Sequence, residues 1–401
     1  MSGPLEGVKV VEITMFQQGP VAGMRLGDLG ADVIKVEAKT GDPARGFMKI
    51  IGAMAGLKGK NYYFEHNNRN KRGIVLDLKS KRGMEIFLKL IDQADVFLNN
   101  MSIGAPISMG IGPDVLLARN PRLIYAHASG WGRKGPDAND LSFDYTGIAR
   151  SGLMMACGEK GTPPTQILPG IGDEMGGLMC AWAVTAALYA REKTGKGQVV
   201  DTSLMGSVIA ALAFILDAPA FLGQEFPREV RAEAGNPVYN HYCCADGKWI
   251  AIAHLDPNRY WSKICEALGL EELVQDSRFN SIETRSRNAK ELVSILDARF
   301  ATKPRDEWMK ILKEAGCILT PIQSLTEVTQ DPQAFANHYM LEVDHPWGRQ
   351  RMVGFPWDFS ETPASWRRPA PEFGQHTDEV LLEAGYTKEE IDSFRKEGAI
   401  I

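Results

Sequence analysis

The chain has 401 residues, 44% of them apolar and 24% charged, with a net charge of −5 at pH 7 and a pI near 5.9. That length exceeds one ordinary core and predicts about two domains, while the composition is that of a soluble globular protein rather than a disordered one. The acidic balance excludes broad nucleic-acid binding, which shows as a basic domain.

Cysteines stand at 157, 180, 243, 244, 265 and 317, with no C-x-x-C pair and no zinc spacing. They read as reduced thiols of a cytoplasmic protein, and no metal site is expected. The N-terminus lacks the basic and then apolar order of a targeting segment. The longest apolar run, residues 178–190, spans 13 positions, too few to cross a bilayer.

In chain order, residues 8–13 read as a strand, 21–29 as a helix and 32–37 as a second strand. A strand over 73–77 follows, then a helix over 81–94 with Met84, Phe87, Leu88 and Ile91 on one face. Short apolar strands at 96–98 and 123–126 extend the alternation, which implies a mostly parallel sheet with helices on both faces. The expected class is α/β: a Rossmann-like large domain over 1–225, a smaller α+β domain over 226–325, and a tail over 326–401 returning to the first. The smaller domain rests on a strand at 249–253 and helices at 258–268 and 289–301; the tail ends in a short helix near 378–384. Ligands of such sheets bind beyond the carboxyl ends of the strands, here the loops 14–19, 37–42 and 99–104. None of these carries a Gly-x-Gly-x-x-Gly or a Gly-Lys-Ser/Thr loop, which argues against a nicotinamide or P-loop enzyme.

The tripeptide Gly172-Asp173-Glu174 lies between a turn-rich run and a long apolar helix. A carboxylate at a helix mouth is favoured as the anion by unpaired N–H groups and the macrodipole, and an ionised carboxylate is a usable nucleophile. Most aspartates at such positions only cap, so position alone does not assign chemistry. Glu174 is the rival carboxylate, but neighbours on one turn point apart.

The chain as a whole resembles the class III coenzyme A transferases, the family of formyl-CoA transferase and carnitine CoA-transferase. The resemblance is carried in order by Gln17-Gln18-Gly19-Pro20, Gly27-Asp28-Leu29-Gly30-Ala31-Asp32, Asn70-Lys71-Arg72-Gly73, Thr194-Gly195-Lys196-Gly197-Gln198 and Gly374-Gln375-His376-Thr377. It implies that Asp173 is the nucleophile and Gln17 an active-site amide, with Gln18 beside it. The backbone near Gly176 and Gly177 is a further candidate for oxyanion donors. It also implies that CoA lies against Phe16, Leu76, Lys79, Asn100, Met101 and Met109, with Lys39 near the phosphates, Phe143 and Asp144 lining the site, and two chains interlocked as a dimer. No tightly bound cofactor is expected, only the CoA thioester as substrate.

Two departures stand out. Ser108 and Leu141 occupy positions where the family has cations, so either Arg133, Lys134 or Lys39 compensates, or a paralogous partner subunit supplies the main CoA site. Phe143 stands where the related α-methylacyl-CoA racemases have a histidine, which disfavours racemisation because stereoinversion needs a second acid or base. The reading is transfer of CoA from an acyl-CoA such as succinyl-CoA to an organic carboxylate. A binding subunit of a heteromer and an acyl-CoA epimerase or isomerase are the alternatives.

Overall fold

A computed structural model of the chain describes residues 3–49 and 59–401. Six strands, β1 (Lys9–Ile13), β2 (Asp32–Glu37), β3 (Lys71–Val75), β4 (Val96–Asn99), β5 (Ile124–Ser129) and β6 (Gln198–Ser203), form one sheet in the order β3-β2-β1-β4-β5-β6. Every pairing is parallel. The strand order reverses between β1 and β4, so the crevice of this doubly wound sheet opens beyond the carboxyl ends of those two strands. This is the mixed α/β architecture with a parallel sheet that the alternation predicts.

Side-chain alternation along the strands explains both layers. Val11, Ile34, Phe97 and Tyr125 point to one face and join a core with Ile86, Phe87 and Leu90. Their neighbours Val10, Val33, Val96 and Ile124 point to the other, against Ala22, Leu26, Cys180 and Val184. A sheet covered on both faces reads in sequence as near-continuous apolar runs, which is why these strands are legible.

The helices up to residue 222 are α1 (Gln18–Asp28), α2 (Tyr62–Asn68), α3 (Lys81–Asp92), α4 (Gly104–Ser108), α5 (Pro113–Arg119), α6 (Asp144–Arg150), α7 (Leu153–Ala156), α8 (Ile171–Thr194), α9 (Leu204–Ala211) and α10 (Ala213–Leu222), and the tail adds helices over Thr377–Glu383 and Lys388–Lys396. In α3 the buried stripe is Ile86, Phe87, Leu90 and Ile91, with Met84 and Leu88 only at its margin. The expected stripe is thus rotated toward the strands it covers. Ser80 caps this helix by accepting from the Gly83 N–H at 3.0 Å.

The chain divides into two compact units. One comprises Met1–Met155, Gln166–Gly223 and Ala336–Ile401; the other comprises Ala156–Thr165 and Gln224–Phe335. The smaller unit therefore takes in 156–165, which the sequence reading keeps with the first domain, and extends to 335 rather than 325. Its antiparallel sheet, β7 (Tyr239–Cys243), β8 (Trp249–Ala253) and β9 (Leu319–Ile322), backs a core built around Trp261, Phe300 and Trp308. The tail rejoins the large unit through a hairpin, β10 (Met340–His345) and β11 (Gly348–Val353), and its last residues bond to the segment just after β3: the Asp77 N–H donates to the Ala399 carbonyl at 2.8 Å.

Candidate active site

The turn after β1 is built on buried charge. Lys35 and Lys71 are fully buried on adjacent strands; Lys71 Nζ donates to Glu12 at 2.8 Å, and Lys35 pairs with Asp42 at 2.9 Å. Burial pulls the Lys71 pKa down to about 8, with the Glu12 carboxylate opposing it. Asp42 in turn accepts from the Phe16 N–H at 3.2 Å, and Asn67 donates to the Phe16 carbonyl at 3.1 Å. These bonds hold Phe16 at φ 63°, a left-handed conformation that costs a non-glycine residue about 1–3 kcal/mol and persists only where its surroundings enforce it. The bend starts α1 at Gln18 and brings Gln17 and Gln18 to the first turn of α8.

That turn begins at Gly170, φ 88°, where a β-carbon would lie 2.9 Å from both ends of the Gln17 amide. Asp144, at the start of α6, accepts from the Gly170 N–H at 2.8 Å and the Asp173 N–H at 3.0 Å. The cap of α8 is thus supplied from another helix, and Asp173 is its third residue rather than its N-cap. This changes the charge expected at Asp173. Burial first, then Asp144 and Glu174, push its carboxyl up to about 8, against the Gln18 backbone N–H, which favours the carboxylate. The expectation that the helix mouth holds Asp173 as an anion is corrected: burial and the neighbouring carboxylates outweigh the helix start, where Asp144 takes the Gly170 and Asp173 N–H groups.

Glu174 meets the opposite environment. Burial opposes its ionisation, but His66 Nε2 at 2.6 Å, Arg25 at 3.7 Å and the Gln17 amide at 3.1 Å hold the carboxyl below its ordinary range. Gln17 Nε2 also reaches the Gly170 carbonyl at 3.4 Å. Tyr63 lies buried on α2, its phenol ionisation pushed up by burial and then by the charge of Asp173. Gly176 and Gly177 lie deeper in α8, where their N–H groups are committed to helical bonds; a β-carbon at Gly177 would stand 2.5 Å from Val21. They let α1 and α8 approach closely and are not oxyanion donors.

The structure brings Asp173, Gln17, Phe16, Phe143 and Asp144 together; the Phe16 and Phe143 rings meet edge-on at 6.1 Å. Lys39 and Lys79 gather around Asp77 beyond β2 and β3, Lys39 through a half-exposed ion pair at 2.9 Å and Lys79 through its N–H at 3.1 Å. Leu76 is fully buried in the core, and Met109 packs at that core's edge. Asn100 is tied to the Met15 backbone at 2.9 and 2.8 Å, and the Met101 carbonyl accepts from His127 at 2.9 Å. Ser108 bonds back to Ala105 and Leu141 is 87% exposed, so neither replaces a cation.

The sheet thus has one switch point, and the Asp173 carboxyl and the Gln17 amide meet at neighbouring helix starts. The family model described as CoA-transferase family III matches residues 5–377. The chain belongs to CoA-transferase family III. An (R)-2-hydroxy-4-methylpentanoate CoA-transferase of Clostridioides difficile is 36% identical over 393 residues, 98% of each chain. A succinyl-CoA:glutarate CoA-transferase of Mus musculus is 34% identical over 385 residues, 95% of this chain and 86% of the relative. A crystal structure of a CAIB/BAIF family protein from Brucella suis matches with TM-score 0.86 at 30% identity, covering 96% of this chain and 100% of that one. As a family III CoA-transferase, the protein is an enzyme that uses CoA thioesters and carboxylic acids as substrates.

His66, Arg25, Tyr63 and the Gln18 N–H are functional neighbours that the sequence reading does not find. His66 precedes the Asn70-Lys71-Arg72 motif by four residues, and its partner Glu174 lies 108 residues away. No local pattern links the two.

Proposed function

We propose that this enzyme moves CoA from succinyl-CoA to an organic carboxylate, with Asp173 as covalent nucleophile and Gln17 and the Gln18 N–H as oxyanion donors. The observation that carries this reading is the meeting of two helix starts, where the Asp173 carboxyl lies at the Gln18 N–H with the Gln17 amide alongside. The Asp173 carboxylate attacks the thioester carbonyl, and the tetrahedral oxyanion collapses to an aspartyl anhydride and CoA thiolate. The thiolate attacks the aspartyl carbonyl, releasing the donor acid and leaving an aspartyl-CoA thioester. The acceptor carboxylate attacks that thioester carbonyl, and the thiolate set free then attacks the acceptor acyl carbon, regenerating Asp173. No proton is consumed, and one hard exchange becomes several easier ones. Removing an oxyanion donor typically costs about 10²–10³-fold.

The CoA nucleotide is proposed to follow the loops beyond β2 to β4, with Lys39 and Lys79 toward its phosphates and Asn100, Met101 and Met109 along its length. Arg133 and Lys134, after β5, supply charge in place of Ser108 and Leu141. A second copy is proposed to cover α9 and α10: these consecutive helices are strongly apolar, α10 has no buried residue, and Phe221 is 81% exposed. Among the described residues no single helix is long and apolar enough to cross a membrane, though this bent pair passes on combined length and composition. The acceptor is proposed to be a branched or aromatic acid, with a 2-hydroxy acid the first choice, the class named for the C. difficile relative.

Incubation of the purified chain with succinyl-CoA and a panel of 2-hydroxy, aromatic and dicarboxylic acids, read by mass spectrometry of the CoA esters, tests this. A new acyl-CoA formed one-for-one with succinate is expected. Folded protein that yields only free CoA, or nothing, across the panel would contradict it.

A further inference from the structure

We infer that Glu174 and His66 are positioning residues that fix which end of the Gln17 amide faces the reacting carbonyl; the inference rests on the proposed roles of Asp173 and Gln17. A glutamine amide is nearly the same shape in both flips, but only its NH2 end stabilises an oxyanion, and the carbonyl end would repel one. Something must discriminate between them. An ionised carboxylate does so because it accepts hydrogen bonds and cannot donate them.

Glu174 meets that need. Its Oε1 accepts from Gln17 Nε2 at 3.1 Å and from His66 Nε2 at 2.6 Å, while Arg25 lies 3.7 Å from Oε2. His66 therefore carries its hydrogen on Nε2 and anchors the carboxylate from α2. One hydrogen of the Gln17 amide is committed to Glu174. The other reaches the Gly170 carbonyl only at 3.4 Å, longer than a good N–H···O bond, and is the one left to meet a substrate oxyanion. Glu174 contributes no bond to the substrate; it acts through Gln17.

The test is a double-mutant cycle on the full chain with succinyl-CoA and an acid accepted in the transfer assay. Assays run at about pH 9, where Asp173 is ionised and the charge of Glu174 no longer sets how much nucleophile is present. E174A is expected to lower kcat by about 10- to 100-fold, less than loss of the donor itself, with KM within about twofold. E174Q, which accepts through its own amide oxygen but can also donate, should fall several-fold, and H66A should lie between wild type and E174A. In a Q17A background the same changes at Glu174 should cost less than about twofold, because the group they orient is gone. Should E174A fold poorly, E174Q carries the cycle alone.

Equal losses with and without Gln17, or no loss from either substitution at Glu174, would overturn the inference. Hydroxylamine trapping on the wild-type chain separates the two levels of the argument. Trapping at Asp173 together with additive losses defeats only the positioning role. Absence of trapping defeats the nucleophile and this inference with it.

Discussion

The two sides of the first turn of α8 hold adjacent carboxylates and treat them in opposite ways. On the α6 side, burial and the Asp144 carboxylate raise Asp173 to about 8. On the α2 side, His66, Arg25 and Gln17 outweigh burial and hold Glu174 ionised. Both residues belong to the same helix start, so the macrodipole does not distinguish them. Their neighbours do: Asp144 takes the Gly170 and Asp173 N–H groups on one side, and among the described residues His66 and Arg25 stand on the Glu174 side. Divergent environments for neighbouring carboxyls are a common way to give them different roles, here a basic nucleophile and a fixed anion.

The harshest way to break this comparison is to remove each carboxylate in turn. D173A should lower transfer by on the order of 10³-fold or more, well beyond any substitution at Glu174, as measured by acyl-CoA formation in protein shown folded by circular dichroism. Comparable losses at the two positions would mean that their roles are not separate.

Next in size is the buried charge that supports the region. Arg69 pairs with the buried Asp28 through bonds of 3.0 and 2.7 Å, so R69M should cost about 3 kcal/mol in denaturant unfolding, since it leaves that carboxylate with only Asn70 at 2.8 Å and Arg25 at 3.6 Å. Its effect should fall on stability and leave the pH midpoint of activity in place.

The pH dependence sharpens the comparison further. kcat/KM should rise with pH through about 8 as Asp173 ionises, and D144N should move that midpoint toward acid by removing a like charge. Stability gives the linked sign. The folded-state value lies above the unfolded one, so the carboxyl penalises folding fully above about pH 8 and not at all below about pH 4. D173N should therefore be more stable than wild type at high pH, and its advantage should shrink as pH falls from 8 toward 4.

The smallest effect is expected away from the turn. Lys39 and Asp77 form a half-exposed pair, so K39M should change stability by less than about 1 kcal/mol while raising the KM for the acyl-CoA.

Much of this was legible in the sequence because the physics is local. β4 is apolar on both faces, β2 carries Val33, Ile34 and Val36 around the charged Lys35, and the Gly172-Asp173 step precedes a long apolar helix. The hairpin β10–β11 was not read, since β11 is polar and mostly exposed and β10 mixes buried apolar with charged residues. Nor was α2, seven residues without a clear apolar stripe. Asp144 was expected to line the site; that it caps α8 follows only when α6 and α8 are placed together. The charge state of Asp173 was misread for the same reason, as it depends on which group reaches the helix start first.

The most direct test of the covalent account is to incubate the chain with succinyl-CoA, quench with hydroxylamine and map the modification by peptide mass spectrometry, beside D173A. The account predicts a hydroxamate at Asp173 that is absent from the variant. Modification at Glu174 instead, or none in folded protein that transfers CoA, would contradict it.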